Sequence, residues 1–300
     1  MNTPGVTVGI PAFNEENNIQ AILKDILNQK RQGYRLENII VASDGSTDAT
    51  VKKVKAINSP IITVLDNPDR KGVAVRQNQL MNKSNSDVLV LLNADLSIKD
   101  PKFIYKITRP FLDKTVDLAS VNILPVAPKY FFGKMLYVST EYKNLVFNNF
   151  HSGDNWYTCH GAARAFSKRL YKNIIFKRSV GEDLYSYLYT KYHSYNYAFV
   201  KEATVKYRLP ENLHDHEKQS FRFRNSTPYI EEEFGTKFIN ANIIWPKSRL
   251  FIFGFLTFVI HPFLASVYMI TNSYLAIKYR LIKTITIDKW EISRSTKYLH

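Results

Sequence analysis

The first hundred residues alternate short β-branched runs with stretches of helical periodicity, and the last of those runs, Val88-Leu89-Val90-Leu91-Leu92, is apolar at every position. A strand with no polar face must be covered on both sides, which is the condition of a central strand in a parallel sheet flanked by helices. Runs at 6 to 10, 38 to 42 and 61 to 65 supply its partners. Between them Ile19, Ile22, Leu23, Ile26 and Leu27 recur at helical spacing, as do Val51, Val54 and Ile57. This rhythm specifies an α/β fold with a doubly wound, mostly parallel sheet. Ligands of such sheets bind beyond the carboxyl ends of the strands, so chemistry is expected in the turns that follow them.

Asn93-Ala94-Asp95 follows the apolar run directly. A carboxylate there faces the crevice and can hold a divalent cation against a diphosphate. Pro11-Ala12-Phe13-Asn14-Glu15-Glu16 follows the first strand. Its ordinary role is a loop in which Asn14 caps a helix whose first turn carries acids. In this location the same turn can also seat a nucleoside on its backbone while Glu15 reaches a ribose hydroxyl. Ser43-Asp44-Gly45-Ser46-Thr47-Asp48 follows the second strand, with Asp44-Gly45 as turn dipeptide and Thr47 or Asp48 as helix cap. Asp44 can in addition accept from the imide N–H of uracil or hold the ribose, and it suits uridine and guanosine equally.

After Pro101 the pattern predicts a strand at 117 to 124, an amphipathic helix at 131 to 147 and a helix at 181 to 193, which form the second wall of a cleft. Ser179-Val180-Gly181-Glu182 has the form of a capping box for the last of these. His160-Gly161-Ala162-Ala163 reads as a close approach of backbone into the core, and His214-Asp215-His216 as a solvated loop. The chain thus divides into a nucleotide-binding half at 1–100, a second half at 101–235 and a hydrophobic and basic segment at 246–300.

Taken in order, Pro-Ala-Phe-Asn-Glu-Glu, Ser-Asp-Gly-Ser-Thr-Asp-Ala-Thr, Arg70-Lys71-Gly72 with Arg76-Gln77-Asn78, and Asn93-Ala94-Asp95 resemble the GT-A-fold family 2 glycosyltransferases. The resemblance implies inverting transfer of a sugar from a nucleoside diphosphate to an acceptor, assisted by Mg²⁺ or Mn²⁺. It implies that Pro11, Phe13, Asn14, Glu15, Asp44, Lys71, Arg76, Asn93, Ala94 and Asp95 bind the nucleotide-sugar, and that Asp95 is the metal-binding acid. In the same family an acidic pair supplies the general base, here Glu182 and Asp183, with Asp183 in the second position. His160 and Gly161 would form the small-residue turn beside the sugar, and a late histidine, His216 in preference to His214, would complete the metal shell. Gln219-Ser220-Phe221-Arg222-Phe223 resembles the Gln-x-x-Arg-Trp motif of processive polysaccharide synthases with Phe for Trp, and Arg222 and Arg224 would neutralise the departing diphosphate.

One station departs from the family. Asn93 stands where the first acid of the Asp-any-Asp motif is expected, and an amide oxygen ligates a hard cation without adding charge, so metal affinity falls. Two other readings stay open: a non-catalytic binding or scaffold protein on this fold, which Asn93 favours, and a sugar-1-phosphate nucleotidyltransferase, whose Gly-rich loop after strand one is missing.

Residues 1–100 carry 12 Lys/Arg against 11 Asp/Glu, so nearly all of the net charge of +15 lies beyond residue 100. That basic portion calls for an anionic partner, and without a helix-turn-helix, zinc-finger or RNP-type signature a nucleic acid is not expected. Residues 250 to 270 contain no Asp, Glu, Lys or Arg. As one straight helix they would be about 30 Å long, enough to cross a bilayer. Pro262 should kink them beside His261, and export of the basic tail that follows would break the positive-inside rule. The expectation is a re-entrant or interfacial hairpin at the cytoplasmic face of a membrane, serving a lipid-linked or membrane-bound glycan acceptor; the plainer alternative is a buried hydrophobic helix pair. Cys159 is the single cysteine, which suits a reducing compartment, and the strand-like run at 6 to 10 leaves no space for a secretory signal.

Overall fold

The computed structural model describes residues 3–177, 181–225, 227–281 and 294–297. Among them seven strands form one sheet: β1 (Gly5–Ala12), β2 (Arg35–Asp44), β3 (Ile62–Asn67), β4 (Val88–Leu92), β5 (Leu118–Pro125), β6 (Ala163–Ser167) and β7 (Tyr197–Tyr207). Their order is β3-β2-β1-β4-β6-β5-β7. β3, β2, β1 and β4 run parallel, β6 is antiparallel to β4 and β5, and β7 returns parallel to β5. The expected nucleotide-binding half and the second half therefore share one continuous sheet.

Helices α1 (Ile19–Leu27), α2 (Thr50–Lys55) and α3 (Val73–Lys83) connect the first four strands. α4 (Phe103–Thr108), α5 (Phe131–Phe147), α6 (Lys168–Tyr171) and α7 (Glu182–Tyr192) are set between the later ones. The apolar run of β4 does what its composition demands. Val88, Val90 and Leu92 enter one core with Val6, Val8, Ile10, Ile22 and Phe103, while Leu89 and Leu91 enter the other with Leu80, Phe166 and Leu188. Each such side chain contributes about 1.5–3 kcal/mol on burial. Gly9 lets the layers close: a Cβ there would lie 2.9 Å from Leu91 Cδ2 and 3.2 Å from Leu80 Cδ1.

β7 is followed by α8 (Leu213–Asn225), α9 (Thr227–Phe234), α10 (Thr236–Asn242), α11 (Lys247–Ile260) and α12 (Pro262–Leu281). The apolar segment is broken where expected, with His261 at φ −129° and ψ 59° between α11 and Pro262. Among the described residues no single helix is long and apolar enough to cross a membrane; α10 and α11 together have the length and composition, but they are bent by 53°. α11 buries none of its residues, and α12 packs Leu264, Val267 and Tyr268 beside Met135, Leu136 and Leu209.

Candidate active site

The turns after β1 and β2 are sewn together. Asn14, at φ 53° in the left-handed region that Asn tolerates, accepts from the Thr47 amide at 2.8 Å through its side chain and donates its own amide to Ser46 Oγ at 3.1 Å. It does not cap α1, whose N-cap is Asn18 and whose first turn carries no acid, because its amide group is used across to the neighbouring turn. The Glu15 amide donates to Thr50 Oγ1 at 2.7 Å, and Asp48 accepts from the Thr50 amide at 2.9 Å; neither Thr47 nor Asp48 is the N-cap of α2, which is Ala49.

Asp44 is 5% exposed, and its carboxylate is largely occupied. It accepts from the Lys71 amide at 2.8 Å, the Gly72 amide at 2.9 Å and Arg76 Nε at 2.7 Å. Arg76 is itself buried and donates to the Asp69 carbonyl. The pair that was expected to meet the nucleotide thus fixes the 69–72 loop, with part of one carboxylate's acceptor capacity left over. Gly45, at φ 70°, allows the loop to approach: a Cβ would lie 2.8 Å from the Arg70 nitrogen. The Arg70 guanidinium lies 4.0 Å over the Phe13 ring, and the Lys71 side chain is exposed beside it.

At the end of β4, Ala94 is buried in the core while Asn93 and Asp95 on either side of it remain partly exposed. The Asn93 amide donates to the Ala162 carbonyl at 2.9 Å. This bond ties the Asn-Ala-Asp turn to the His160-Gly161-Ala162 turn. A Cβ on Gly161 would lie 3.4 Å from Glu182 Oε1 and 3.5 Å from Asp183 Cβ, so the same turn also touches the acidic pair. Three sequence-distant stations are thereby brought into one place.

α7 opens at Glu182 with Gly181 as N-cap at φ 74°; Ser179, the expected capping residue, lies outside the described residues. Glu182 is buried, and Asp183 is partly exposed with Oδ1 accepting from the Leu184 amide at 2.8 Å. Arg164, fully buried on β6, supports this end of α7 by donating to the Glu182 carbonyl at 2.8 Å, to Ser186 Oγ at 2.5 Å and to Gln77 Oε1 at 3.2 Å. Burial pushes the His160 pKa down, opposed by the nearby Asp183 charge.

His216 stands apart from this group. It packs on Phe132 with ring centroids 5.9 Å apart, its Nε2 is buried without a partner, and burial together with Lys143 pushes its pKa down to about 4. Among the described residues no group of three or more His, Cys, Asp or Glu could hold a metal ion, so the structure does not gather His216 into such a set. His214 is exposed and Gln219 partly exposed on α8, and the side chains of Arg222 and Arg224 lie outside the described part.

Residues 7–175, more than half of the chain, match the sequence profile described as Glycosyl transferase family 2. The chain belongs to that family. No curated protein matches it. Among solved structures the fold is shared with mannosyltransferase PcManGT from Pyrobaculum calidifontis in complex with GDP-Man and Mn²⁺, at 16% identity over 93% of this chain and 81% of that one, with a TM-score of 0.59. It is shared also with glucosyl-3-phosphoglycerate synthase from Mycobacterium tuberculosis, in complex with Mn²⁺, UDP and phosphoglyceric acid, at 18% identity over 75% and 77% with a TM-score of 0.55. The same synthase with Mg²⁺ and UDP matches at 18% identity over 77% and 80%, with a TM-score of 0.57. The chain is a glycosyltransferase of the GT-A fold.

One feature of this glycosyltransferase has no signal in its sequence. Residues 294–297 return to the turn after β1, where Lys297 meets Asn18 across 279 residues of sequence. Lys297 Nζ pairs with Glu15, whose carboxylate also accepts from Asn18 Nδ2 at 2.9 Å, and the Asn18 side chain donates to the Lys297 carbonyl at 2.7 Å. At the start of α8 the Ser295 amide and hydroxyl both donate to Asp215, at 2.8 and 2.5 Å, and Ser295 Oγ accepts from the Glu211 amide at 3.2 Å. The tail spans from the turn after β1 to the start of α8.

Proposed function

We propose that the enzyme transfers a sugar with inversion from a UDP- or GDP-sugar to a lipid-linked or membrane-bound glycan. The supporting observation is the junction at the Gly161 turn, where Asn93 is held by the Ala162 carbonyl and a Cβ on Gly161 would touch both Glu182 and Asp183. A donor whose diphosphate lies against Asn93-Ala94-Asp95 has its anomeric carbon near the acidic pair. Asp183, the more exposed acid, takes the proton of the acceptor hydroxyl as that oxygen attacks opposite the diphosphate. Glu182, buried and fixed through its carbonyl by Arg164, holds the helix that carries the base. No covalent intermediate is required.

Asp95, two residues after Asn93 and like it partly exposed, suits Mg²⁺ or Mn²⁺, which take one or two protein ligands and complete their shells with substrate phosphates and water. Bound there, the cation supplies positive charge to the leaving diphosphate. The relatives solved with GDP-Man or UDP and Mn²⁺ or Mg²⁺ support this reading. The exposed apolar side chains of α11 and α12, among them Phe251, Phe255, Ile260 and Phe263, favour attachment to a membrane surface, with the basic residues of the carboxyl-terminal portion toward anionic headgroups.

A panel of nucleotide-sugars screened by thermal shift with and without Mn²⁺ identifies the donor, because a ligand that binds only the folded chain raises its melting point. Slow hydrolysis of that donor without acceptor then separates an enzyme from a scaffold. Asp95→Ala is expected to abolish the Mn²⁺-dependent part of donor binding in calorimetry, and unchanged affinity would remove Asp95 from the metal site.

A further inference from the structure

Below the acidic pair, α7 borders a cavity of about 370 Å³ that the reaction just described does not use. Asp183, Tyr187 and Lys191 follow one another at intervals of four residues, so they lie on one face of α7, and the axial distance from the first to the last is about 12 Å. Tyr187 and Lys191 form one wall of the cavity, Phe150, His151 and Asp154 a second, and Ile244 just before α11 a third.

The second wall is shaped by an uncommon backbone. His151 and Ser152 both adopt left-handed conformations, at φ 49° and 55°. Gly153, at φ 83°, follows them, and a Cβ there would lie 2.3 Å from the Phe199 ring. Non-glycine residues in this region cost on the order of 1 kcal/mol or more each, and such outliers concentrate at functional sites. Here they hold the exposed His151 ring stacked on Phe150, with centroids 4.0 Å apart and planes 22° from parallel. Beside this aromatic platform, Asp154 accepts from Tyr187 Oη at 3.1 Å and from Lys191 Nζ at 2.7 Å. The Asp154 side chain remains 42% exposed and that of Lys191 26% exposed. Each carboxylate oxygen keeps acceptor capacity, and the ammonium keeps two donors.

We infer that this cavity binds a neutral sugar unit of the acceptor glycan, remote from the hydroxyl that receives the transferred residue. A pyranose ring offers an apolar C–H face to an aromatic platform and a rim of hydroxyls that both donate and accept, which suits the Phe150–His151 stack with Asp154 and Lys191 beside it. A phosphate or carboxylate would meet the negative charge of Asp154 beside Lys191, and a lipid chain would leave that pair without water. This inference rests on the proposed role of Asp183, because α7 carries the cavity wall and the base on one face.

The test uses the full chain and a panel of neutral gluco-, manno- and galacto-configured trisaccharides, titrated while following saturation-transfer NMR signals, with Mn²⁺-dependent UDP and GDP binding measured in parallel. At least one trisaccharide is expected to bind, and Asp154→Asn to weaken it by about tenfold, the scale of a hydrogen bond to a charged group. His151→Ala, at an exposed position, should weaken it as well, and both variants should keep wild-type nucleotide binding. If no member of the panel binds, or if binding is indifferent to both substitutions, the inference is wrong. Absent nucleotide binding in the wild type would instead overturn the proposed function.

Discussion

Asp44, His160 and His216 carry their weight through what surrounds them. With two backbone amides and the Arg76 guanidinium on its carboxylate, Asp44 fixes the loop against which a nucleoside would lie. Burial keeps His216 neutral, its pKa lowered from 6.5 to about 4, and moves His160 the same way. Between those values the unfolded chain binds more protons than the folded one, so stability is full above pH 6.5 and declines as the pH falls toward 4. Replacing both histidines with Asn should flatten that decline by on the order of 1 kcal/mol per site in urea melts compared between about pH 7 and about pH 5. An unchanged pH dependence would mean that the imidazoles are not held neutral.

Among the elements, the strands with uninterrupted apolar or β-branched runs were legible in the sequence, as were α1, α5 and α7, because each buries a periodic face. β6 was not. Its five residues include Arg164, and the hydrogen bonds that make a fully buried guanidinium tolerable are accepted by the carbonyl of Glu182, Ser186 and Gln77, none of them near in sequence. β7 was obscured by the exposed Lys201 and Glu202, which fall where its register against β5 shifts between Val121 and Asn122. The stations Asn93 to Asp95 and Glu182-Asp183 were readable as motifs, whereas the contact that joins them is a backbone bond from Asn93 to Ala162 with no residue signature. The tail was equally invisible, since Lys297 and Glu15 are 282 residues apart. Its ammonium, which burial pushes down to about 8, occupies the carboxylate proposed to receive a ribose hydroxyl. Lys297→Ala is therefore expected to tighten Mn²⁺-dependent UDP or GDP binding by about threefold to tenfold, roughly 1 kcal/mol. Equal or weaker binding would show that the tail does not compete with the nucleotide.

At the scale of the whole molecule, one sheet and one apolar flank set the geometry. The described part of the flank does not form the straight 250–270 helix that length alone allowed, because the chain breaks at His261 before Pro262. Ile252 and Phe255 are 54% and 60% exposed on α11, and placing Glu at both should weaken sedimentation with anionic vesicles by about tenfold or more, given the apolar area removed. Undiminished sedimentation would assign the flank to another surface. The sheet, for its part, joins Asn93 at the end of β4 to the Gly161 turn before β6, which lies against Glu182 and Asp183 on α7, and the proposed chemistry depends on that convergence. The most direct test is Asp183→Asn, with donor binding and single-turnover hydrolysis or transfer of the donor sugar measured on the same preparation. Asp183 as base predicts a rate lower by roughly 10²- to 10⁴-fold with nucleotide affinity little changed. Near-normal turnover in that variant would contradict it.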